Sequence, residues 1–576
     1  MKRRTMGWGI AMALCAVAVA GCGDTDSGDG SGNDDGAAPT PSGPTLNSSS
    51  TTSNAAAPQT AIAATGESYY AADASSGTAG SGSASRAAAF EPSPDNSTER
   101  YDAVGTNPFV LTESDAFSTF AADVDTASYD IFRRDISNGF LPVPDSVRLE
   151  EYVNYFNYDY PAPSESDEHP FAITLAAAPS IFDRPTAVLR VGIQAVKPPP
   201  FEKKPTNLVF LIDTSGSMQS ADKLPLVKTL LTSSLDVLDA DDTVSIVTYA
   251  GSTGVALAPT PVSMRATIEA TIDNFAAGGS TAGAAGIDLA YAQASDAFIE
   301  GGINHVVLCT DGDFNVGPSS DAELVALIEE KRDSGITLTA LGFGLGNLND
   351  SMMEKVSNAG NGIYSVITSE THARRYAESD MLATLVHVAR DMKIQVEFNP
   401  AAVIAYRLLG YENRAIADTA FRDDSVDAGE VGAGHRVTAL YELVLEGQSI
   451  PMPEGAPAAA SGALDATDAA LTPEIDAADL VLVKVRYRSV DDAIDAPALE
   501  TSQSLAITDL AASHTDLDGD FQWALAIAAF AEVLKDSPFA DLALLDSAKP
   551  IFETQAGSDP DRQELLTLFE QTLSLL

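Results

Sequence analysis

The sequence predicts an α/β fold: a doubly wound, mostly parallel sheet inserted in an antiparallel β-sandwich, with short helical regions at the N- and C-terminal ends. Three observations carry this. Nearly continuous apolar runs of strand length alternate with amphipathic helical stretches across residues 205–390. Strands covered on both faces read this way in parallel sheets. Strand patterns at 171–177 and 187–196 precede that region, and others at 392–398, 405–411, 435–445 and 480–489 follow it. None has a helical crossover to its neighbour and several alternate apolar with polar, which argues antiparallel pairing. Helical stretches lie near 125–156 and 521–575.

The chain has 576 residues, 33 Lys+Arg against 82 Asp+Glu, and a net charge of −49. That balance excludes a nucleic-acid binder of the usual electrostatic kind, which neutralises phosphate with basic patches. A field this negative attracts cations instead. Hydrophobic content of 45% supplies a real core. Three Cys over this length exclude a disulfide-built scaffold.

The N-terminus reads as an address. Lys2, Arg3 and Arg4 precede an apolar run over 6–20 that is too short for a spanning helix. It ends in Val19-Ala20-Gly21-Cys22, which resembles the lipobox of bacterial lipoproteins. The resemblance implies a leader over 1–21, lipidation of Cys22 and membrane anchoring in the cell envelope. Gly23 rather than Asp after the Cys favours the outer membrane over the inner. Cys15 leaves with the leader, so Cys309 is left as one apolar-strand thiol and no structural disulfide is expected. Residues 22–104 are rich in Ser, Gly, Ala, Thr and Asp and read as a disordered tether, because they bury too little surface to offset ordering entropy. A flexible coil of about 80 residues spans roughly 50 Å r.m.s..

Residues 105–165 read as a helical N-terminal domain. A helix runs to about Asn138, capped by Asp125 or Thr126 and stopped by Gly139, and a second covers 147–156. Asp123 and Asp125 read as capping residues before metal ligands. Strands over 166–204 then join the flanking sandwich.

Within 205–390, strands are expected at 207–213, 243–249, 254–257, 305–310, 336–343 and 362–366. Helices are expected at 221–238, 262–275, 284–298, 322–333 and 373–390. In such sheets ligands sit at the carboxyl ends of strands, near the topological switch. Three loops at that edge carry oxygen donors: Asp213-Thr214-Ser215-Gly216-Ser217, Gly278-Gly279-Ser280-Thr281 and Thr310-Asp311-Gly312. Two carboxylates and three hydroxyls, with neither His nor thiolate, suit a hard divalent cation rather than Zn²⁺. Hydroxyls are weak neutral ligands, so the ion is expected to keep positive character and to seek an anionic ligand from outside. Mg²⁺ and Mn²⁺ suit the set better than Ca²⁺, which gathers more oxygens.

These loops resemble the metal-ion-dependent adhesion site of von Willebrand factor A domains. The resemblance implies that Asp213, Ser215, Ser217, Thr281 and Asp311 hold the metal and that a partner protein's acidic side chain completes it. Ser280 is the alternative to Thr281; the position of Gly286-Ile287 favours Thr281. The similarity extends further. Asn107-Pro108-Phe109, Asp123 to Tyr129, Asn154-Tyr155-Phe156, the run from Ala405 to Arg414 and Val426 to His435 are similar to bacterial YfbK-type lipoproteins.

The β-sandwich continues through 391–515, with a disordered insert near 451–478 that is rich in Pro and Ala. Residues 516–576 read as C-terminal helices. Asp516 to Asp520 reads as a helix cap, since it lacks the glycine and the final glutamate of a calcium loop. The chain shows no His-Glu-x-x-His run, no nucleophile elbow and no Walker lysine. His435 reads as a packed or surface residue rather than a base. The expectation is a non-enzymatic, lipid-anchored module that binds a protein partner through a divalent cation. The alternative is a structural or assembly factor of the envelope in which the cation only stabilises the fold.

Overall fold

The computed structural model describes residues 99–164, 167–182, 184–196, 204–279, 283–312, 321–426, 428–460, 471–490 and 496–576. The leader, Cys22, the tether as far as 98, and both Ser280 and Thr281 lie outside the described residues. Strands β1 (Val110–Leu111) and β2 (Phe117–Ala121) precede helices α1 (Ala127–Ser137) and α2 (Leu149–Asn154), then β3 (Phe171–Pro179) and β4 (Ala187–Ala195). The central region opens with β5 (Thr206–Asp213), α3 (Leu224–Ser234), β6 (Thr243–Tyr249), β7 (Thr253–Pro261), α4 (Arg265–Asp273) and α5 (Gly283–Asp296). It continues through β8 (Ile303–Thr310), α6 (Asp321–Asp333), β9 (Thr337–Phe343), α7 (Asp350–Ala359), β10 (Tyr364–Ile367), α8 (Glu370–Arg375) and α9 (Met381–Leu385). Strands β11 (His387–Phe398), β12 (Val403–Leu409), β13 (Gly429–Gly432), β14 (Arg436–Leu445), β15 (Asp479–Ser489) and β16 (Leu499–Ala506) follow. Helices α10 (Gly519–Leu534), α11 (Ala543–Gln555) and α12 (Pro560–Leu575) come last.

The central sheet has the order β10-β9-β8-β5-β6-β7. All neighbours are parallel except the edge pair β6 and β7. Every residue of β5 is buried, as a strand covered on both faces requires. One face packs Leu226, Val227, Leu230 and Ile268 from α3 and α4 against it. The other packs Ile287, Tyr291, Leu324 and Met353 from α5, α6 and α7, joined by Ala127 and Ile131 of α1. The chain leaves β5 for β6 on one side and returns to β8 on the other. The carboxyl ends of β5 and β8 are therefore the topological switch.

Two antiparallel sheets form the sandwich: β1-β12-β14-β4-β3, and β13-β11-β15-β16 with β2 also on β11. Leu189, Val191, Ile394, Val396, Val437, Tyr441, Val483 and Val485 share one core between them. A third core joins α1 and α2 to α10, α11 and α12 through Tyr129, Phe132, Tyr152, Trp523, Phe530, Phe552 and Phe569. Buried arginines tie the parts together. Arg148 of the α2 cap pairs with Asp350 of α7 at 2.6 and 3.1 Å. Arg407 of β12 pairs with Glu442 and Glu532.

Several details differ from the sequence reading. The segment 105–165 is not helical alone, because β1 pairs with β12 and β2 with β11. Their partners lie nearly 300 residues away, and short strands of this kind carry little local signal. The helix expected over 373–390 ends at Leu385, and His387 opens β11. Pairing with β13 and β15 satisfies the backbone of 387–390 as strand. Helix α3 begins at Leu224 rather than 221, with Pro225 in its first turn. The second helix, expected over 147–156, shortens to α2. Helix α7 and strands β13 and β16 fall where the sequence reading places no element, whereas α11 lies within the expected C-terminal helices although Pro550 interrupts its helical pattern.

The tether expected to reach 104 ends earlier. Glu99 is buried against Arg134, and Arg100 bonds both Leu348 and Asp350 through its backbone. The flanks of the insert expected to be disordered near 451–478 are also bound. Ala460 pairs with the backbone of Phe109 and Leu111, and Glu474 and Ile475 donate to Glu397.

Candidate functional site

Asp213 is the last residue of β5, and Asp311 follows the last residue of β8. The adjacency of these strands, with Ile212 paired to Cys309, brings the two carboxylates to one edge. Asp213, Ser215 and Asp311 are each at most 1% exposed, while Ser217 is half-buried at the rim. The Ser215 backbone N–H donates to Asp213 Oδ1 at 2.7 Å, which turns the loop. The Ser215 and Ser217 hydroxyl oxygens lie 2.9 Å apart. Thr310 Oγ1 donates to Asp213 Oδ2 at 3.3 Å. The Gly278-Gly279 loop is stitched to this turn: Gly216 N–H donates to Gly279 O at 3.1 Å, and Gly278 N–H to Thr214 O at 2.8 Å. That bond pattern places the start of the second donor loop beside the first. Thr281, two residues on, lies outside the described residues.

Lys223 and Asn347 both hold one oxygen of Asp311. Lys223 Nζ donates to its Oδ2 at 3.0 Å and Asn347 Nδ2 to the same oxygen at 3.2 Å. The glycine of Thr-Asp-Gly has a structural cause. Gly312 sits at φ +89°, and a Cβ there would come within 2.5 Å of Leu348 Cα. The loop after β9 thus packs directly on the loop after β8. Burial pushes the Asp213 carboxyl up to about 6; bonds from Ser215 pull against it, and the Asp311 charge adds to it.

This chemistry fits a hard divalent cation. Two buried carboxylates at one edge repel each other, and the remaining donors are hydroxyl oxygens. Among the described residues no group of three or more His, Cys, Asp or Glu is placed to hold a metal. The set here has only two carboxylates, which separates it from an acidic calcium cage.

The other residues singled out by the sequence have structural roles. Asp123 and Asp125 do not cap α1: its N-cap is Thr126, with no side-chain cap bond, and Glu151 Oε2 accepts the Ser128 N–H at 2.7 Å. Asp123 and Asp125 instead clamp Arg414 at 2.8 and 3.2 Å, and Asp125 accepts the Tyr364 N–H from β10. Asp518 caps α10 through the Phe521 N–H and holds Arg190. His435 Nδ1 accepts the Gly432 N–H at 3.2 Å, and burial drives its pKa down to about 4. Cys309 is buried and free, and burial raises its thiol well above the usual range. Lys223 and Asn347 were missed by the sequence reading. Their only signal is a lysine at the start of α3 and an amide in the loop after β9.

Family models match three parts of the chain. Residues 207–382 match the von Willebrand factor type A domain, and 383–575 match the C-terminal region described as that of the uncharacterized protein YfbK. Residues 95–190 match a model described as von Willebrand factor. The uncharacterized protein YfbK of Escherichia coli (strain K12) is 37% identical over 480 residues, covering 82% of this chain and 81% of that protein. The chain belongs to the YfbK family. The uncharacterized protein sll0103 of Synechocystis sp. is 26% identical over 185 residues, 32% of this chain and 43% of that protein. A solved von Willebrand factor type A protein from Catenulispora acidiphila is 15% identical, covers 69% of this chain and 89% of its own, and has a TM-score of 0.38. Domains of the von Willebrand A type typically bind proteins through a metal-ion-dependent adhesion site, and such sites can bind divalent cations. Within the YfbK-family chain, the boundary between the two larger matches falls inside α9, just before the sandwich resumes at β11.

Proposed function

We propose that this YfbK-family protein binds an acidic side chain of a partner protein through a divalent cation held by Asp213, Ser215, Ser217, Thr281 and Asp311. One observation carries the reading: Asp213, Ser215, Ser217 and Asp311 converge at the switch of the parallel sheet as a buried pair of carboxylates with hydroxyl oxygens beside them. Asp213 and Asp311 anchor the ion from the floor, and Ser217 at the half-buried rim faces the approach. A bound ion supplies an open coordination position to a carboxylate from outside. The ion is Mg²⁺ or Mn²⁺ rather than Ca²⁺, because few protein oxygens are offered. The module is a binder rather than an enzyme. It is anchored in the cell envelope by lipid on Cys22, with the outer membrane the favoured address.

The test is capture of partners from membranes by the wild type and by Asp213→Ala, each with Mg²⁺ and with chelator. The wild type should retain partners that chelator releases, and the variant, if its melting temperature is intact, should retain none of them. A folded variant that keeps every partner refutes adhesion through the cation and leaves the ion a structural role.

A further inference from the structure

We propose that Lys223 is a built-in counter-charge of the cation site: it weakens the grip of the site on the ion and reserves positive charge for an acidic ligand. The inference rests on the cation reading above and adds a residue outside the five donors.

Three observations carry it. Lys223 is buried, only 6% exposed, although lysine normally keeps its head in water. Its Nζ lies 3.0 Å from Asp311 Oδ2, one of the two carboxylates of the site. Its position is built rather than incidental. The backbone of Lys223 starts α3, accepting the N–H groups of Leu226 and Val227 and donating to Ser220 O. Its stem lies along Gly344, which sits at φ +77°, and a Cβ on that glycine would meet Lys223 Cε at 2.4 Å. The loop after β9 therefore leaves room for this side chain, and Asn347 of the same loop shares the Asp311 oxygen.

The charges then decide the behaviour. Asp213 and Asp311 alone present two negative charges, which a divalent ion would cancel. Counted over Asp213, Asp311 and Lys223 among the described residues, the lysine reduces that to one. A divalent ion then leaves one net positive charge in a buried, low-dielectric place, and a single carboxylate from a partner neutralises it. A buried ion pair is weak evidence for stability, since desolvation offsets its attraction. A role in setting the charge of the site accounts for a lysine where an apolar stem would fill the same cradle.

The test is titration of the full chain with Mn²⁺ alone, reading free Mn²⁺ by electron paramagnetic resonance, for wild type, Lys223→Met and Lys223→Gln. Removing a like charge within a few ångströms of the ion should tighten Mn²⁺ binding at least ~10-fold in both variants. Acetate, added as a carboxylate probe to the Mn²⁺-loaded protein, should bind the wild type more tightly than either variant. Melting temperature with and without Mn²⁺ reports folding. Unchanged or weaker Mn²⁺ binding in a folded variant overturns the proposal and makes Lys223 a structural clamp. Failure of both variants to fold does the same. A wild type that binds no Mn²⁺ overturns the cation reading itself, whereas a binding wild type with indifferent variants overturns this inference alone.

Discussion

Glu99 should be among the most sensitive positions in the chain, although the sequence places it in a polar tether. Its carboxylate is buried and accepts two bonds from Arg134, at 3.0 and 2.9 Å. It also accepts the Gly346 N–H at 2.9 Å and the Tyr101 hydroxyl at 2.6 Å. Glu99→Ala leaves the buried Arg134 with Asp135 at 2.8 Å, Gly344 O at 3.3 Å and the Tyr101 hydroxyl at 3.5 Å. A hydrogen bond to a charged group contributes about 1.5–3 kcal/mol, and breaking one partner of a buried pair costs about 3–5 kcal/mol. Because Asp135 remains, the loss should fall near the lower end, about 3 kcal/mol. Glu99→Gln keeps the shape and one acceptor oxygen and should lose roughly half of that. Urea unfolding followed by circular dichroism reads both variants. A loss below ~0.5 kcal/mol for Glu99→Ala, the range of surface substitutions, would refute the docking of this segment onto the loop after β9.

Glu150 should make stability depend on pH. Burial raises its carboxyl to about 7, with the Glu412 charge adding and Lys535 opposing. A carboxyl raised in the folded state penalises folding above its folded pKa and not below its unfolded one, so the penalty grows from about pH 4.5 to 7. Glu150→Gln should therefore gain on the wild type between pH 5 and pH 8, by up to roughly 3 kcal/mol, and a pH-independent difference would contradict this. Reductant should leave the melting temperature unchanged, since Cys309 is buried and free; a reductant-sensitive dimer would contradict that. Cys22→Ser should move the protein from the detergent to the aqueous phase on partitioning, and continued detergent partitioning would exclude the lipid anchor.

The parallel sheet was legible because its strands are covered on both faces, so their apolar runs stand out without knowledge of their partners. Asp213 and Asp311 were legible for a related reason: each ends such a run, and parallel adjacency puts strand ends together. What escaped depends on contacts between distant segments. Arg148 and Asp350 are separated by 202 positions, and neither flanking sequence announces the pair. Strand β2 exists because β11 offers it an edge. Asp123 and Asp125 read locally as caps, but the nearby Arg414 claims both carboxylates. Lys223 was invisible as a site residue because a lysine before a helix ordinarily faces water, and only the cradle at Gly344 turns it inward.

The proposed function depends on whether the carboxylates ending β5 and following β8 hold a divalent cation. Its most direct test is calorimetric titration of Mg²⁺, then Ca²⁺, into wild type, Asp213→Ala and Asp311→Ala. Salt is held at about 0.15 M, where charges beyond roughly 8 Å are screened and the acidic surface contributes little. One Mg²⁺ should bind per wild-type chain, Ca²⁺ should bind more weakly, and both folded variants should lose the site. Binding that survives in either folded variant, or no saturable binding in the wild type, would contradict the proposed function.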